Sequence, residues 1–453
     1  MMDLLPVQRA APLDRLRARY AAAPDVRLLV HRGTCGDAAG APAILEQLRE
    51  ALPDAVIAET ACDGACWAAP AATAIRNAHV HRFARLDRGI PGEIAACLGG
   101  VCADDYAGRG ERGLTARLGR HDGSLGEALG YGAYATLAAI AGAPAETVVA
   151  LVQSAVVTDR GGSHADTARA WRDALAARTP RVLVVQVADA EPGVTIARHL
   201  VEGDPHRVIE GILIACRGIE ADRAVVVLGA DVDRSHATLL GAIEEARVAG
   251  LLDGSALGSG AVTIEVGAEA PAGIVEHVET LCALTMILEE QPPPTKLLSL
   301  AGVPRPGVYE VPVDGATTWA GLLALAGANP SRTQGMIAGG PAYRLVLPEE
   351  YEEPLSLRAL GSGGIRALPL DADITSVLWE TVAGLAARGC GVCRGCTEGA
   401  PLLGRFLAQP MAYREETAPL LAILTDDASC GPSVNAGRLV ASAVVAFSEA
   451  FDS

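Results

Sequence analysis

The sequence has few aromatic residues, a shortage of basic side chains and no long apolar run. Aromatic residues make up 4% of its 453 residues, and 37 Lys and Arg stand against 54 Asp and Glu, for a formal net charge of −17. That charge repels polyphosphate and anionic lipid, so we expect neither nucleic-acid binding nor a direct membrane partner. Apolar runs such as residues 225–228 fall far short of the roughly 20 residues that a membrane span needs.

The N-terminus also lacks the features of a secretory signal. Residues 1–20 contain no uninterrupted apolar core and no small-residue cleavage site. We therefore expect a cytoplasmic protein, with membrane association only through partner subunits. In a reducing compartment, clustered cysteines are more often metal ligands or redox groups than structural disulfides.

Strand-like and helical patterns alternate along most of the chain, and the composition is that of a folded α/β protein with 50% hydrophobic residues. Residues 26–30 and 55–58 are predicted strands around a helix at 41–52, a βαβ pattern of thioredoxin type. Residues 182–250 alternate strand and helix as a doubly wound sheet does. The predicted organisation is an N-terminal domain (1–75), a linker (76–124), an α/β domain (125–290), a small mixed β domain (291–372) and a helical domain (373–453).

Four of the 11 cysteines form the C-terminal thiol set, Cys390, Cys393, Cys396 and Cys430. The first three follow a C-x2-C-x2-C spacing, which brings successive thiolates to one centre, and a distant fourth completes a four-thiolate site. Zinc also accepts four thiolates, but its sites usually present two pairs. The spacing therefore favours a [4Fe–4S] cluster.

A second group, the N-terminal cysteine set, consists of Cys35, Cys62 and Cys66. Each follows a predicted strand, so all three are expected at one end of a sheet, where they are candidates for a [2Fe–2S] cluster that needs four ligands. His31 is the candidate fourth ligand because an imidazole can replace a thiolate. The alternative is that His31 is an ordinary core or surface residue. The other four cysteines, which have no partner at metal-ligand spacing, are interpreted as buried small hydrophobes: Cys97, Cys102, Cys216 and Cys282.

A series of motifs runs in collinear order over residues 125–453: GYGAYATL (130–137), RGG (160–162), ADAEPG (188–193), DPHRVIEG (204–211), AIEEARVAGLL (242–252), LGSG (257–260), HVETL (277–281), KLLSLAGVPRPGVYEVP (296–312), IAGGP (337–341) and CGVCRGCTEG (390–399). This order resembles the NADH-binding flavoprotein subunit of respiratory complex I. Similar proteins are the diaphorase subunits of NAD-linked hydrogenases and the corresponding formate dehydrogenase subunits. RGTCGDAAGAP (32–42) and ACDGACWAAP (61–70) resemble the thioredoxin-fold [2Fe–2S] domain that some of these relatives carry.

The resemblance implies a multidomain α/β and α+β fold. Its parts would be a thioredoxin-like domain, a central doubly wound-type α/β flavin-fold domain, a β-grasp-like domain and a C-terminal helical iron–sulfur domain. It also implies a [4Fe–4S] cluster on the C-terminal thiol set and partners that are other subunits of a redox complex, such as an iron–sulfur or a molybdenum or tungsten catalytic subunit. The remnant of an FMN site would comprise Arg160, Gly161, Gly162, Glu191 and Thr280.

The chain departs from the family pattern where FMN and NADH would bind. The family's glycine-rich loop reads TDRGGSHADTARAW (158–171) here, with His164, Ala165 and Ala170 in place of a glycine, an aromatic residue and a lysine. A Cβ blocks close backbone approach to phosphate, and the lost side chains remove a stacking face and a cation. Glu276 is expected to add negative charge near the cofactor, and only residues 261–276 bridge LGSG to HVETL.

These departures predict an iron–sulfur electron-transfer subunit that has lost FMN and NADH binding and is not itself catalytic. One alternative is a working FMN-dependent NAD(P)H:acceptor oxidoreductase subunit with altered contacts. A second alternative is a structural scaffold subunit whose cluster only stabilises the fold.

Overall fold

The computed structural model describes residues 10–77, 79–87, 91–102, 113–177, 181–187, 189, 193–229, 233–289, 294–340, 343–425 and 430–452. The chain divides into two compact units. The first comprises Met1–Ala188, Thr195–Pro294 and Gly307–Glu310, and the second comprises Asp189–Val194, Thr295–Pro306 and Val311–Ser453. The prediction of a mixed α/β protein with several sheets is confirmed.

The first unit begins with a four-stranded mixed sheet of order β2-β1-β3-β4, in which β1 is parallel to β2 and antiparallel to β3. Its core includes Leu28, Leu45 and Ile94. The elements here are α1 (Ala10–Arg17), β1 (Val26–His31), α2 (Thr34–Ala38), α3 (Ala41–Ala51), β2 (Ile57–Thr60), β3 (Ala72–Arg76), β4 (His79–Phe83) and α4 (Pro91–Leu98), with a 3-10 turn at Cys66–Ala68.

The predicted linker at 76–124 is corrected by this sheet. Strand β4 pairs along its length with β3, and α4 buries Ile94 and Cys97 in the same core. The charged residues that separate the apolar positions obscure both elements, because a short edge strand and a short helix give weak periodicity. The first domain therefore extends beyond residue 75.

A second, fully parallel sheet of order β7-β6-β5-β8 follows in the first unit. Strands β5 and β6 are valine-rich runs with buried centres, as parallel strands covered on both faces tend to be. The elements are α5 (Leu125–Gly130), α6 (Ala135–Ile140), α7 (Ala145–Ser154), α8 (Thr167–Ala176), β5 (Val182–Gln186), α9 (Ile196–Gly203), α10 (Pro205–Ile219), β6 (Arg223–Val227), α11 (Asp233–Val248), β7 (Thr263–Gly267), β8 (Ile274–His277) and α12 (Val278–Leu284).

The second unit combines a five-stranded mixed sheet, of order β10-β9-β13-β11-β12, with C-terminal helices. Strand β13 is parallel to β9 and antiparallel to β11. The elements are β9 (Thr295–Ala301), β10 (Gly307–Pro312), α13 (Trp319–Leu325), β11 (Thr333–Ala338), β12 (Arg344–Val346), α14 (Leu357–Leu360), β13 (Gly364–Pro369), α15 (Ile374–Ala386), α16 (Ala400–Ala408), α17 (Thr417–Thr425) and α18 (Gly431–Ala446), with a π-helical turn at Gly395–Gly399.

The last four of these helices share one apolar core that includes Leu378, Leu403, Leu424 and Leu439. The turn at Gly395–Gly399 leads directly into α16, and Cys430 is the residue that precedes α18. The packing of α15 to α18 therefore holds the two cysteine-bearing segments against each other.

Candidate metal centres and the loop at 158–171

The C-terminal thiol set converges on one point within the second unit. The Sγ atom of Cys396 lies 3.2 Å from that of Cys430 and 3.7 Å from that of Cys390, while the Sγ atoms of Cys393 and Cys430 are 3.7 Å apart. Cys390 is exposed and the other three are partly buried. Four soft thiol donors within 4.8 Å of one another form a donor set that suits an iron–sulfur cluster or zinc.

Polar groups around the sulfurs fit this interpretation. The hydroxyl of Ser433 lies 3.0 Å from the Sγ of Cys396, and the backbone N–H of Cys393 donates to the Sγ of Cys390 at 3.3 Å. Burial raises the pKa of the Cys430 thiol, but the hydrogen bond with Ser433 and backbone N–H groups outweigh burial and lower it. Such contacts orient metal ligands and tune a cluster.

Glycine at 389 is required by the approach of the loop to its own sulfur. A Cβ on Gly389 would lie 2.6 Å from the Sγ of Cys396, closer than carbon and sulfur can pack. Gly389 is thus required where this loop brings Cys390 and Cys396 together. The sequence pattern indicates this loop, and the structure brings all four predicted thiols together.

The N-terminal cysteine set also comes together, within the first unit. The Sγ atoms of Cys35 and Cys66 are 3.3 Å apart, and the thiol of Cys62 interacts with both. Cys35 lies in α2, which follows β1, while Cys62 and Cys66 follow β2. Because β1 and β2 are parallel neighbours, their carboxyl ends meet at one edge of the sheet.

An imidazole that the sequence pattern does not indicate joins this group. The Nε2 atom of His199, on α9, lies 3.6 Å from the Sγ of Cys66. The Sγ atoms of Cys35 and Cys66 and the imidazole nitrogen form a potential metal-binding group. Burial lowers the pKa of His199, but the nearby charges of Cys66 and Cys35 outweigh burial and raise it to about 10.

His31, the predicted fourth ligand, is placed elsewhere by the structure. Its Nε2 atom is 2.8 Å from the hydroxyl of Thr73 on the adjacent strand β3, and its Nδ1 atom is 3.8 Å from the Asp63 carboxylate. The reason is the pairing of the sheet, since β3 lies directly beside β1 and brings Thr73 within reach of His31. It is His199 that lies with Cys35 and Cys66.

The remaining cysteines divide into two kinds. Cys216 and Cys282 are free and buried, as predicted. Cys97 and Cys102 form a disulfide, which corrects their interpretation as separate buried hydrophobes, and Cys102 is exposed. The turn after α4 brings these two residues together, with Cα atoms 4.1 Å apart.

Part of the predicted remnant FMN site is assembled at the end of β8. The backbone N–H of Arg160 donates to the hydroxyl of Thr280 at 2.8 Å, and its guanidinium lies 3.4 Å from the Glu279 carboxylate. Gly161 and Gly162 continue this loop, and Gly162 has a φ of 117°, a conformation suited to glycine. Glu191, the fifth predicted residue, lies outside the described residues.

The amide groups of this loop are taken by the protein's own carboxylate. Asp159 accepts hydrogen bonds from the backbone N–H of Gly161 at 3.0 Å, from the N–H of Ser163 at 2.9 Å and from the Ser163 hydroxyl at 2.6 Å. Burial raises the pKa of Asp159, but these hydrogen bonds outweigh burial and lower it. A carboxylate of the protein therefore occupies two backbone N–H donors of this loop.

The carboxyl group of Glu276 also forms a hydrogen bond within the protein. Its carboxylate accepts a hydrogen bond from the indole Nε1–H of Trp171 at 2.7 Å, and the residue is only 4% exposed. Burial raises the pKa of Glu276 to about 7. Burial therefore keeps part of this carboxyl group protonated near neutral pH, so the negative charge expected at this place is only partly developed there.

Glu276→Gln should change how stability depends on pH. The unfolded carboxyl has a pKa of about 4.3, so between that value and about 7 the folded state binds more protons and wild-type stability falls as pH rises. The variant keeps an acceptor for Trp171 and lacks the titrating group. We expect its free energy of unfolding, measured in urea, to exceed that of wild type by on the order of 3 kcal/mol at pH 8 and to match it near pH 4.

The exposed Glu398 provides the control for this experiment, as Glu398→Gln. It should leave the pH profile of unfolding unchanged. An identical pH profile for Glu276→Gln and wild type would show that Glu276 titrates normally in the folded protein.

Within the residues that the structure describes, no helix is long and apolar enough to cross a membrane.

Comparisons with known proteins agree with the resemblance that the sequence motifs predict. The family described as the Nuo51 FMN-binding domain matches residues 152–286. The F subunit of the NADH-quinone oxidoreductase of Aquifex aeolicus is 24% identical, over 73% of this chain and 91% of the relative. Its counterpart of the same name in Streptomyces coelicolor is 28% identical, over 62% of this chain and 75% of the relative.

The fold is similar to that of a solved redox enzyme. A chain of an NAD+-reducing [NiFe]-hydrogenase in its H2-reduced state matches with a TM-score of 0.66 and 21% identity, over 98% of this chain and 87% of that chain. At this identity the match shows the fold. The predicted resemblance is thereby confirmed: the chain is similar to F subunits of NADH-quinone oxidoreductases, and its residues 152–286 match the Nuo51 FMN-binding domain.

Proposed function

We propose that this chain is an iron–sulfur electron-transfer subunit of a multisubunit oxidoreductase and that it has lost FMN and NADH binding. Its relatives are named as subunits of NADH-quinone oxidoreductases, and its fold is that of a chain in an NAD+-reducing hydrogenase. Its partners would be other subunits of such a complex, including an iron–sulfur or a molybdenum or tungsten catalytic subunit. It would act in the cytoplasm and reach a membrane only through them.

One contrast carries the proposal. The four thiols of the C-terminal set converge, whereas two backbone N–H groups of the loop at 158–171, those of Gly161 and Ser163, are bonded to Asp159. Anion binding at such a loop depends on unoccupied backbone N–H groups. A flavin phosphate would have to displace a charged carboxylate from these donors, which supports the proposed loss of FMN binding.

The residues of the C-terminal set would hold a [4Fe–4S] cluster, which supplies one-electron transfer when bound. Cys393 contributes its thiol and a backbone N–H towards Cys390, while the Ser433 hydroxyl lies against Cys396. Exposure of Cys390 leaves one edge of the site open to a partner. These features suit transfer to or from another protein.

We also retain the finer domain assignments as proposals. A βαβ unit followed by a hairpin and α4 supports a thioredoxin-like N-terminal domain, with a [2Fe–2S] cluster on Cys35, Cys62 and Cys66. The parallel sheet supports a degenerate flavin-fold domain at 125–290, the mixed sheet a β-grasp-like domain at 291–372, and the packed helices an iron–sulfur domain at 373–453.

The test is the composition of the full-length chain, purified without oxygen. We expect iron and acid-labile sulfide, no flavin released on heating, and no quenching of FMN fluorescence when FMN is titrated into the protein. NADH should not reduce an artificial acceptor such as ferricyanide in the presence of the chain. Stoichiometric FMN together with NADH-dependent reduction would refute the proposed loss.

The FMN-dependent oxidoreductase is the second candidate because Arg160 and Thr280 still meet at the end of β8. This candidate predicts that heating releases flavin and that the chain catalyses NADH oxidation by the artificial acceptor. The scaffold alternative, in contrast, predicts iron that dithionite cannot reduce and a Cys393→Ser variant that still supports electron flow in the complex.

A further inference from the structure

We propose that His199 is the fourth ligand of a metal centre formed with Cys35, Cys62 and Cys66. The inference rests on the proposed function, which makes this centre a [2Fe–2S] cluster, and it supplies the ligand that the sequence pattern lacks. The cysteines belong to the N-terminal domain, whereas His199 lies on α9 of the parallel-sheet domain. Both domains are parts of the first unit.

The positions of the donor atoms carry the inference. The Nε2 atom of His199 is 3.6 Å from the Sγ of Cys66, which is itself 3.3 Å from the Sγ of Cys35. These three atoms all lie within 4.8 Å of one another. The Cys62 thiol interacts with the two other thiols and accepts a hydrogen bond from the backbone N–H of Gly64 at 3.3 Å. Three thiols and one imidazole thus supply four donors.

The second nitrogen of the imidazole is fixed by its own helix. The Nδ1 atom of His199 is 2.7 Å from the carbonyl oxygen of Thr195, one turn earlier. A carbonyl only accepts, so Nδ1 carries a proton and Nε2 is the atom available to a metal. Ligating histidines in metalloproteins are commonly held in this way, with the distal N–H bonded to a carbonyl or carboxylate.

The surroundings match a site for thiolates in a protected place. His199 is 5% exposed and Cys62 is 6% exposed, so two of the four ligands lie in the interior. A guanidinium nitrogen of Arg198 lies 3.6 Å from the Sγ of Cys35, where its charge offsets that of the thiolates. A buried histidine aimed at sulfur next to a cation suits a ligand of an anionic centre.

His31 is the other candidate for a histidine ligand, and it makes different contacts. Its Nε2 atom lies 2.8 Å from the Thr73 hydroxyl, and its Nδ1 atom lies 3.8 Å from the carboxylate of Asp63, the residue after Cys62. The two histidines therefore form a matched pair: both are buried, and it is the imidazole nitrogen of His199 that lies within 4.8 Å of the Sγ atoms of Cys35 and Cys66. Substituting each in turn distinguishes a ligand from a structural histidine.

Pulsed EPR on the dithionite-reduced full-length chain tests the inference directly, because a ligating imidazole gives strong coupling to nitrogen. A Cys396→Ser background removes the overlapping C-terminal signal. We expect a [2Fe–2S] spectrum with one strongly coupled histidine nitrogen, which is lost in His199→Cys and retained in His31→Gln. His199→Cys should keep the cluster with all-thiolate ligation and a lower reduction potential, and His199→Ala should lose most of the cluster iron.

The outcomes separate this inference from the proposed function. A [2Fe–2S] cluster without strong nitrogen coupling, or with coupling that persists in His199→Cys, overturns His199 as a ligand and leaves the electron-transfer role intact. Zinc in place of iron at this centre refutes the [2Fe–2S] assignment, and zinc X-ray absorption then decides the ligand by the presence or absence of a Zn–N contribution. If no metal is bound at Cys35, Cys62 and Cys66, both the [2Fe–2S] assignment and the role of His199 as a ligand are refuted, whereas the C-terminal cluster is unaffected.

Discussion

Replacing Cys396 with serine should remove the C-terminal cluster from the purified chain. The Cys396 sulfur is central to the set, with Cys430 and Cys390 at 3.2 and 3.7 Å and the Ser433 hydroxyl at 3.0 Å. Serine offers a hard oxygen in place of a soft thiolate and reaches less far into the site. We expect a loss of about four irons and four sulfides per chain and of the corresponding EPR signal.

The cluster also links two segments of the helical domain, so its loss should loosen them. Cys396 lies in the turn that leads into α16, and Cys430 precedes α18. Because metal–thiolate bonds contribute to folding, residues 389–399 should become more sensitive to limited proteolysis in Cys396→Ser. Mass spectrometry of the fragments would locate the cleavage.

Cys216→Ala is the matched control. Cys216 is a free thiol inside α10, and burial raises its pKa to about 12, so it is unsuited to act as a thiolate ligand. It should retain the full iron content. Equal iron in Cys396→Ser and Cys216→Ala would show that the C-terminal set does not hold the cluster.

The C-terminal site could be predicted from the sequence because three of its four cysteines are close together in the chain. Three cysteines lie within seven residues, and the glycines between them allow the tight loop that Gly389 illustrates. The N-terminal thiols could be predicted for a related reason. Residues that follow two parallel neighbouring strands meet at one edge of a sheet, so strand prediction alone places Cys35 near Cys62.

His199 could not be predicted in the same way. It is 133 residues from Cys66 in the chain, and only the packing of α9 against the N-terminal domain brings it to the thiols. Its sequence context, IARHLV, is an apolar helical pattern in which a histidine is more often an ordinary core residue. Proximity in sequence favours His31, four residues before Cys35, but His31 is bonded to Thr73 of the adjacent strand β3.

Asp159 shows a second limit of sequence motifs. The substitutions at His164, Ala165 and Ala170 indicate a damaged nucleotide loop, whereas the aspartate before RGG belongs to no motif of its own. Aspartate readily accepts hydrogen bonds from backbone N–H groups a few residues ahead of it. The residue type is therefore suggestive, but only the three-dimensional structure shows that this carboxylate bonds Gly161 and Ser163.

Asp204→Ala should strongly destabilise the first unit. This carboxylate is fully buried between α9 and α10, and one of its oxygens accepts from Nε of Arg117 at 2.8 Å and from Nε of Arg207 at 3.0 Å. Removing it leaves two buried guanidinium groups without their shared counter-charge. Losses from breaking a buried ion pair are about 3–5 kcal/mol, and we expect a decrease of this size in the free energy of unfolding at pH 7.

Asp204→Asn separates the two interactions of this side chain, which are the ion pairs and the helix cap. Asp204 also caps α10 by accepting from the backbone N–H of Arg207 at 3.3 Å, and asparagine caps helices about as well as aspartate. The asparagine variant should therefore lose the stabilisation that comes from the ion pairs but keep the helix cap. We expect its free energy of unfolding to be about 1 kcal/mol higher than that of the alanine variant. Glu244→Gln, in a fully exposed pair with Arg247, should leave stability unchanged.

The pH dependence of these variants follows from the charge of Asp204. Burial raises the pKa of Asp204, but Arg117, Arg207 and His121 outweigh it and lower the pKa to about 2. The unfolded value is about 3.9, so the carboxylate's contribution is present above that pH and is lost as pH falls through about 2. The stability gap between wild type and Asp204→Asn should accordingly narrow over this range in acid unfolding. A gap that stays constant from pH 7 to pH 2 would show that the ionised carboxylate is not what stabilises this part of the protein.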